Sequence, residues 1–524
     1  IGKEADLHQG HTHSHVALSP QDFSGDGNQS IWATDVSILS YIALATVVAH
    51  VITGGRYGFH RDELATLDDA RRLAWGYIAY PPITPFFGRV SLALFGTSLA
   101  GFRFFAALVD GATIVLTGLM ASEMGGRRGA KLVAAFAAIP FCLGAGALMQ
   151  YVSFDYFFWV LAAYCVVRLV KSENPRWWIG IGCAIGFGMM SKYTMGFLVA
   201  GIVAGVIFTD TRKFLTSKWL WYGVAISLLI FLPNLIWQAR HNFVSLEFLK
   251  TIHARDIRIG RTDNFLRGQL ILTLLGFPLS LAGLYSCFFS ANAKRYRILG
   301  WMFLVPLAIF LITKARAYYL APAYPMLYAA GSVWGEELLT GMRAGWARAI
   351  RAAAWTALLA DLVVAAALTL PVAPINSDWF RFAVNLNGDY RDEIGWPEFV
   401  QTLAQIRDSL PAAERARTVV LSANYGEAGA VNLLGPQYGL PPAISGGNSF
   451  WAHGYGDFPP ETVIVTGFSR KFVDHNFESC QLVAKSWNMY GVKNEETEDH
   501  PDIFVCRGLK QSWPDFWKTF QYFG

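Results

Sequence analysis

The stretch "VSILSYIALATVVAHVI", Val36 to Ile52, is followed within ten residues by "HRDELATLDDARR", His60 to Arg72. The first run is apolar over the roughly 17–25 residues that a helix needs to cross a bilayer. The second then places Asp62, Glu63, Asp68 and Asp69 beside a membrane, where carboxylates are kept only if solvated, paired or used.

Composition extends the membrane reading to the whole chain. Of 524 residues, 53% are hydrophobic and 15% charged, against roughly 45–50% and 25% in soluble domains, and the mean hydropathy is +0.33. The 18 Trp, 21 Tyr and 38 Phe suit interfacial belts. A net charge of +5 reports orientation in the membrane and not nucleic-acid binding. Six cysteines make no disulfide framework; four lie in apolar segments, whereas Cys480 and Cys506 occupy a polar tail and could pair if it is exported. Residues 1–32 are polar and Gly/Ser-rich, a flexible cytoplasmic tail whose His8, His11, His13 and His15 could bind a transition metal.

Apolar stretches at 36–53, 103–122, 130–149, 153–171, 177–191, 193–209, 219–237, 267–289, 297–313, 317–335 and 348–371 predict about eleven transmembrane helices. Lys and Arg in alternate loops place the N-terminus in the cytoplasm. The chain thus divides into the tail, a transmembrane catalytic domain over 33–375 with its first outer loop at 54–102, and an extracytoplasmic α/β domain over 376–524. In the first outer loop, Leu64, Leu67, Ala70, Leu73 and Ala74 recur at helical spacing and predict an interfacial helix whose wet face carries Asp68, Asp69, Arg71 and Arg72, with a second interfacial helix after the prolines at 81–82.

The chemistry gathers on the outer face. Asp62 and Glu63 follow the first span, Asp155 opens the fourth, and Arg61 can pair with either acid of the loop or join the residues that bind the donor phosphate. Lys192 lies between two apolar helices and wants an anion. Lys314 and Arg316, with Tyr318 and Tyr319, begin a later helix, a setting that a lipid phosphate would satisfy. Arg255, Arg258 and Arg261 could help recruit it.

The acidic pair in the first outer loop, the later acid, the Lys between spans and "KARAYYLAPAYP" together resemble glycosyltransferase family 39. This group comprises the protein O-mannosyltransferases and lipid A aminoarabinose transferases and has the C-type glycosyltransferase fold. The resemblance runs from about residue 35 to 335 and implies a polyprenyl-phosphate sugar donor and an extracytoplasmic acceptor (protein, lipid or glycan). It implies that Asp62 is the catalytic acid of the first loop, that Asp155 helps it hold a divalent metal ion, and that Lys192, Lys314 and Arg316 bind the donor phosphate. Two departures stand out: Tyr156 follows Asp155 where many relatives have Pro, and Tyr80 precedes the two prolines where the aminoarabinose transferases have Lys.

The expected reaction is an inverting sugar transfer at an integral membrane protein, in the inner membrane if the source is bacterial. Asp62 acts as base, Glu63 orients the acceptor or the helix, and cations stabilise the departing phosphate. No Gly-rich phosphate loop or paired-Cys site points to a nucleotide or redox cofactor. A secondary transporter is the rival class, with Asp110 and Asp361 inside predicted spans, but the sequence shows no internal repeat.

Overall fold

The computed structural model describes residues 34–291 and 293–524; the histidines of the tail lie outside the described residues. The chain is mostly helical. Its first part runs through α1 (Asp35–Thr53), α2 (Arg61–Arg71), α3 (Ile83–Phe95), α4 (Leu99–Glu123), α5 (Arg128–Ala145), α6 (Tyr151–Ser172), α7 (Trp177–Met189), α8 (Met195–Phe208), α9 (Lys218–Arg240), α10 (Val244–Arg258), α11 (Phe265–Thr273), α12 (Phe277–Phe289), α13 (Arg297–Ile312), α14 (Tyr324–Thr340) and α15 (Ala344–Thr369).

Each of the eleven apolar stretches contains helix. Among the described residues, eight helices are long and apolar enough to span a bilayer, α11 and α12 counting as one, or nine if α8 and the turn bent 100° from it form one span. The other stretches hold the short α7, α8 and α14. The last of these begins only at Tyr324, because residues from Ala317 to Ala323 wind as a tighter 3-10 turn around Pro322. Between α11 and α12 the backbone breaks at Leu274, which has a φ of 46°. The freed amide of Leu275 donates to Asp361 Oδ2 at 3.1 Å, so this intramembrane acid caps a broken span. Asp110 is fully buried in α4. Neither acid lines the central cavity.

Close helix contacts use small residues, as is usual where lipid competes with apolar packing. A Cβ on Gly182 of α7 would stand 2.2 Å from the carbonyl of Gly223 in α9, and one on Gly283 of α12 would stand 2.0 Å from that of Leu327 in α14. At the end of the bundle away from α2, cations in the terminal turns of helices meet acids: Lys131 of α5 with Asp35 at 2.7 Å, and Lys171 of α6 with Glu123 at 2.9 Å.

The C-terminal part adds α16 (Asp378–Leu386), α17 (Trp396–Ser409), the one-turn α18 (Ala412–Arg415) and α19 (Tyr425–Leu434). Its four-stranded sheet is built from β1 (Thr418–Ser422), β2 (Thr462–Thr466), β3 (Phe477–Lys485) and β4 (Asp502–Leu509), in the order β1-β2-β4-β3. Strands β1 and β2 are parallel and the other pairs antiparallel. Cys480 and Cys506 face each other across β3 and β4 and form a disulfide.

Helix α2 lies between this sheet domain and the bundle. Leu64 enters the core formed by Trp396, Phe399, Val420 and Val431, and Gly429 of α19 lets the two helices touch backbone to side chain. Asp68, expected on a wet face, is instead buried and accepts from Asn432 Nδ2 at 2.8 Å. Asp69 is buried as well. The sheet domain covers the side of α2 that the sequence pattern assigns to water. Helix α3 does keep an uncovered apolar face, with Phe86, Leu94 and Phe95 exposed.

Candidate active site

A cavity of about 1420 Å³ opens between the bundle and the sheet domain. Its wall includes Asp62, Asp69 and Tyr80 from the first loop, Tyr151, Lys192, Arg316, Tyr318 and Tyr319 from the bundle, and Tyr425, Asn448 and Ser449 from the sheet domain. Leu272, Phe310, Val364 and Leu368 continue it as an apolar groove.

The start of α2 is fixed by a capping box with an unusual member. His60 Nδ1 accepts from the amide of Asp62 at 3.1 Å, and Glu63 Oε2 accepts from the amide of His60 at 2.9 Å. A residue at this position normally carries an oxygen; here the imidazole does the same work and turns its other nitrogen toward Asp392, 3.7 Å away. Burial would lower His60, but Asp62, Asp389, Asp392 and Glu393 around it outweigh that and raise it above its ordinary value.

This geometry separates the two acids of the "DE" pair. Asp62 reaches the cavity, where Oδ1 accepts from the Tyr425 hydroxyl at 2.8 Å and Oδ2 from Gln150 Nε2 at 3.1 Å. Glu63, expected in the catalytic group, does not. It is fully buried, and Arg103 Nε and Nη2 bind its two oxygens at 2.9 and 2.7 Å while the amide of Met149 donates at 2.8 Å. Arg103 also holds the carbonyls of Gly54 and Gly58 and the carboxylate of Glu393. Glu63 is therefore the joint on which α2, α4 and the sheet domain meet. Arg61 pairs with neither neighbour acid; it bonds Glu495 and lies 5.3 Å from the Tyr425 ring.

Across the cavity the Lys192 ammonium stands 4.3, 4.7 and 4.9 Å from the ring centroids of Tyr319, Tyr318 and Tyr151. Such a cage supports a cation without neutralising it. Asp155 sits behind the wall, 3.9 Å from Lys192, with both oxygens bonded by the Thr194 hydroxyl at 3.0 and 2.9 Å. Arg316 is held in a fork by the buried Asp256, with Nη2 at 2.8 Å from Oδ1. Lys314, expected on the phosphate, is exposed and absent from the cavity wall; its φ of 51° turns it away just before Arg316.

The residues do not suit a metal pair at Asp62 and Asp155. Asp155 faces an ammonium and a hydroxyl, Asp62 is met by a phenol and an amide, and among the described residues no three His, Cys, Asp or Glu side chains gather as ligands. Lys192 and Arg316 bring positive charge to this wall, which Arg61, Arg255 and Arg261 also line.

Several wall residues had little sequence signal. Tyr425 comes from a distant domain. Asp256 stood in plain view as the acid inside "HARDIRIGR", and Tyr151 in the turn that precedes Asp155.

A bundle of apolar helices with a small C-terminal sheet domain and a large cavity between them has the C-type glycosyltransferase fold expected from the motifs. Residues 79–237 match the family model described as dolichyl-phosphate-mannose-protein mannosyltransferase. The fold is shared with ArnT from Cupriavidus metallidurans bound to undecaprenyl phosphate, at 15% identity and a TM-score of 0.54, covering 90% of this chain and 97% of that one. The apo structure of the same protein gives 14% identity with the same score and coverage. No curated protein sequence matches the chain significantly.

Proposed function

We propose that this protein is an inverting glycosyltransferase that moves a sugar from a polyprenyl phosphate to a hydroxyl of an extracytoplasmic acceptor. The observation that carries the proposal is the cavity itself. Among the acids of its wall, Asp62 is met by a phenol and an amide and, among the described residues, by no cation; the cations Lys192 and Arg316 share that wall, and it continues as the apolar groove of Leu272, Phe310, Val364 and Leu368. The likeness in fold to a protein solved with undecaprenyl phosphate supports a lipid of that class in the groove.

The chemistry follows from charge. Lys192 and Arg316 bind the donor phosphate and stabilise the negative charge that grows as the sugar leaves. An acceptor hydroxyl bonds to Asp62. Its oxygen attacks the anomeric carbon, the carbon–oxygen bond to the phosphate breaks with its electron pair going to the phosphate, and the hydroxyl proton passes to Asp62. A phosphate leaves as a weak base, so no general acid is required. One base and one displacement invert the anomeric configuration.

The disulfide of the sheet domain suits an oxidising compartment, which supports a reaction outside the cytoplasm. The test is transfer in vitro from a panel of polyprenyl-phosphate sugars, with mass analysis of acceptors and of the product's anomeric configuration. Product with retained configuration, or no transfer across the panel, would overturn the proposal.

A further inference from the structure

The cavity wall contains a second polar group that the proposed reaction does not use. Asp62, Ala65, Thr66 and Asp69 all line it, the i, i+3, i+4 and i+7 positions of one face of α2. Asp69 therefore stands about 10 Å along the helix from Asp62. Its Oδ2 accepts from the Tyr80 hydroxyl at 2.7 Å, and Thr66 Oγ1 lies 3.4 Å from the same hydroxyl. From the sheet domain, Ser449 lines the same cavity and lies near enough to favour the charged form of the Asp69 carboxyl.

Beside Ser449, Asn448 holds a left-handed backbone with a φ of 48°, a conformation that costs a side-chain-bearing residue energy and is kept where the surroundings require it. Its Oδ1 is buried without a hydrogen-bond partner among the described residues, although the residue lines the cavity. A buried carbonyl oxygen left unpaired costs about 1–3 kcal/mol, and a bound hydroxyl would supply the missing donor.

The group adjoins the phosphate side. The Tyr80 ring packs 5.9 Å from that of Tyr151, which in turn lies 4.9 Å from Lys192. A molecule whose phosphate rests on Lys192 would thus carry its first sugar toward Tyr80 and Asp69.

We infer that Asp69, Tyr80, Asn448 and Ser449 form a subsite for the hydroxyl-bearing ring of the donor sugar and set which sugar is transferred. The inference rests on the glycosyltransferase reading above. Burial, against the pull of the Tyr80 hydrogen bond, pushes the Asp69 carboxyl up to about 8; it keeps its proton at neutral pH and can both donate to and accept from a ring hydroxyl. Sites built on such groups reject an analogue lacking the hydroxyl far more strongly than apolar pockets reject a changed methylene.

The test uses the full chain in lipid nanodiscs with polyprenyl-phosphate sugars and their ring-deoxy analogues as donors. Tyr80→Phe and Ser449→Ala each remove one hydroxyl group and leave the packing in place; Asp69→Asn keeps the neutral shape of the acid, and Asp69→Ala does not. The expected result is a donor KM raised about tenfold in Tyr80→Phe and Asp69→Ala, a near-normal Asp69→Asn, an acceptor KM unchanged, and a wild-type preference for one hydroxylated donor over its deoxy analogue that collapses in the variants. An unaltered preference, or a rise confined to the acceptor KM, would assign the group to structure or to the acceptor and overturn the inference while leaving transfer intact. Wild-type protein inactive with every donor would overturn both the reading and the inference.

Discussion

The Tyr425 hydroxyl donates to Asp62 Oδ1 at 2.8 Å, so a side chain of the C-terminal domain holds the one carboxylate expected to act as base. The pair makes the sheet domain part of the site and not a passive cover. Removing the base and removing its support should differ in degree. Asp62→Asn is expected to lower transfer by about 100-fold or more with unchanged thermal unfolding. Tyr425→Phe should cost about tenfold, the scale of one hydrogen bond to a charged group. Steady-state transfer assays with melting curves check both, and a fully active Asp62→Asn would remove Asp62 from the mechanism.

The neighbouring acid should behave in the opposite way. Glu63 and Arg103 form a buried pair at 2.7 Å, and removing Glu63 takes the nearer acid from a buried guanidinium that keeps Glu393 at 3.1 Å, at a cost approaching the roughly 3–5 kcal/mol of a broken buried pair. Glu63→Ala is therefore expected to reduce yield and melting temperature, measured by fluorescence-detected size exclusion, before any activity is considered. A well-folded, inactive Glu63→Ala would return this residue to the catalytic group.

This contrast shows what the sequence could and could not convey. The apolar runs marked the bundle because hydropathy needs no partner to be read. Asp62 and Lys192 stood out because charge beside lipid demands a reason. Yet Asp62 and Glu63 are adjacent and chemically alike, and only the helix phase, with Arg103 forty residues on, sends one to the cavity and the other to a buried joint. Asp69 reads as water-facing because the pattern of α2 cannot show that a domain more than 300 residues later packs over it. Long-range contacts of this kind leave no local trace.

The acids at that domain junction predict a pH dependence. Burial, opposed by Arg103, raises Glu393 from an ordinary 4.5 to about 7, and burial likewise raises Glu496 to about 7. Between those values the folded protein retains protons that the unfolded chain has released, so stability falls as pH rises across the window and levels off above it. The raised His60 acts with the same sign, its contribution being lost as pH climbs through its folded value. The melting temperature should be higher at pH 5 than at pH 8, and Glu393→Gln should flatten the slope. A slope of opposite sign would show that these groups are ionised in the fold.

The orientation can be read from the sulfur chemistry. Cys480 and Cys506 are joined, while Cys142, Cys165 and Cys287 are free and buried and the free, half-buried Cys183 lies within the apolar helix α7. With the sheet domain outside, an impermeant maleimide added to intact cells should label the protein only after reduction, and Cys480→Ser with Cys506→Ser should abolish that labelling. Labelling that requires opened cells would place the domain in the cytoplasm.

The cavity wall separates the two lysines of the sequence motifs. Lys192 lies within 5 Å of three tyrosine rings and beside Asp155, so its charge is held in place before any ligand arrives. Lys314 is exposed and outside the cavity. Lys192→Gln is therefore expected to weaken undecaprenyl phosphate binding by about tenfold or more, the scale of a charged hydrogen bond, and Lys314→Gln by less than about twofold, as a solvated charge should. Tyr319→Phe keeps the ring face under the ammonium and should bind nearly as wild type, whereas Tyr319→Leu loses a contact of about 0.5–2 kcal/mol. Intrinsic-fluorescence titration in nanodiscs measures all four, and equal losses at Lys192 and Lys314 would mean that the lipid phosphate rests nearer the membrane surface than the tyrosine cage.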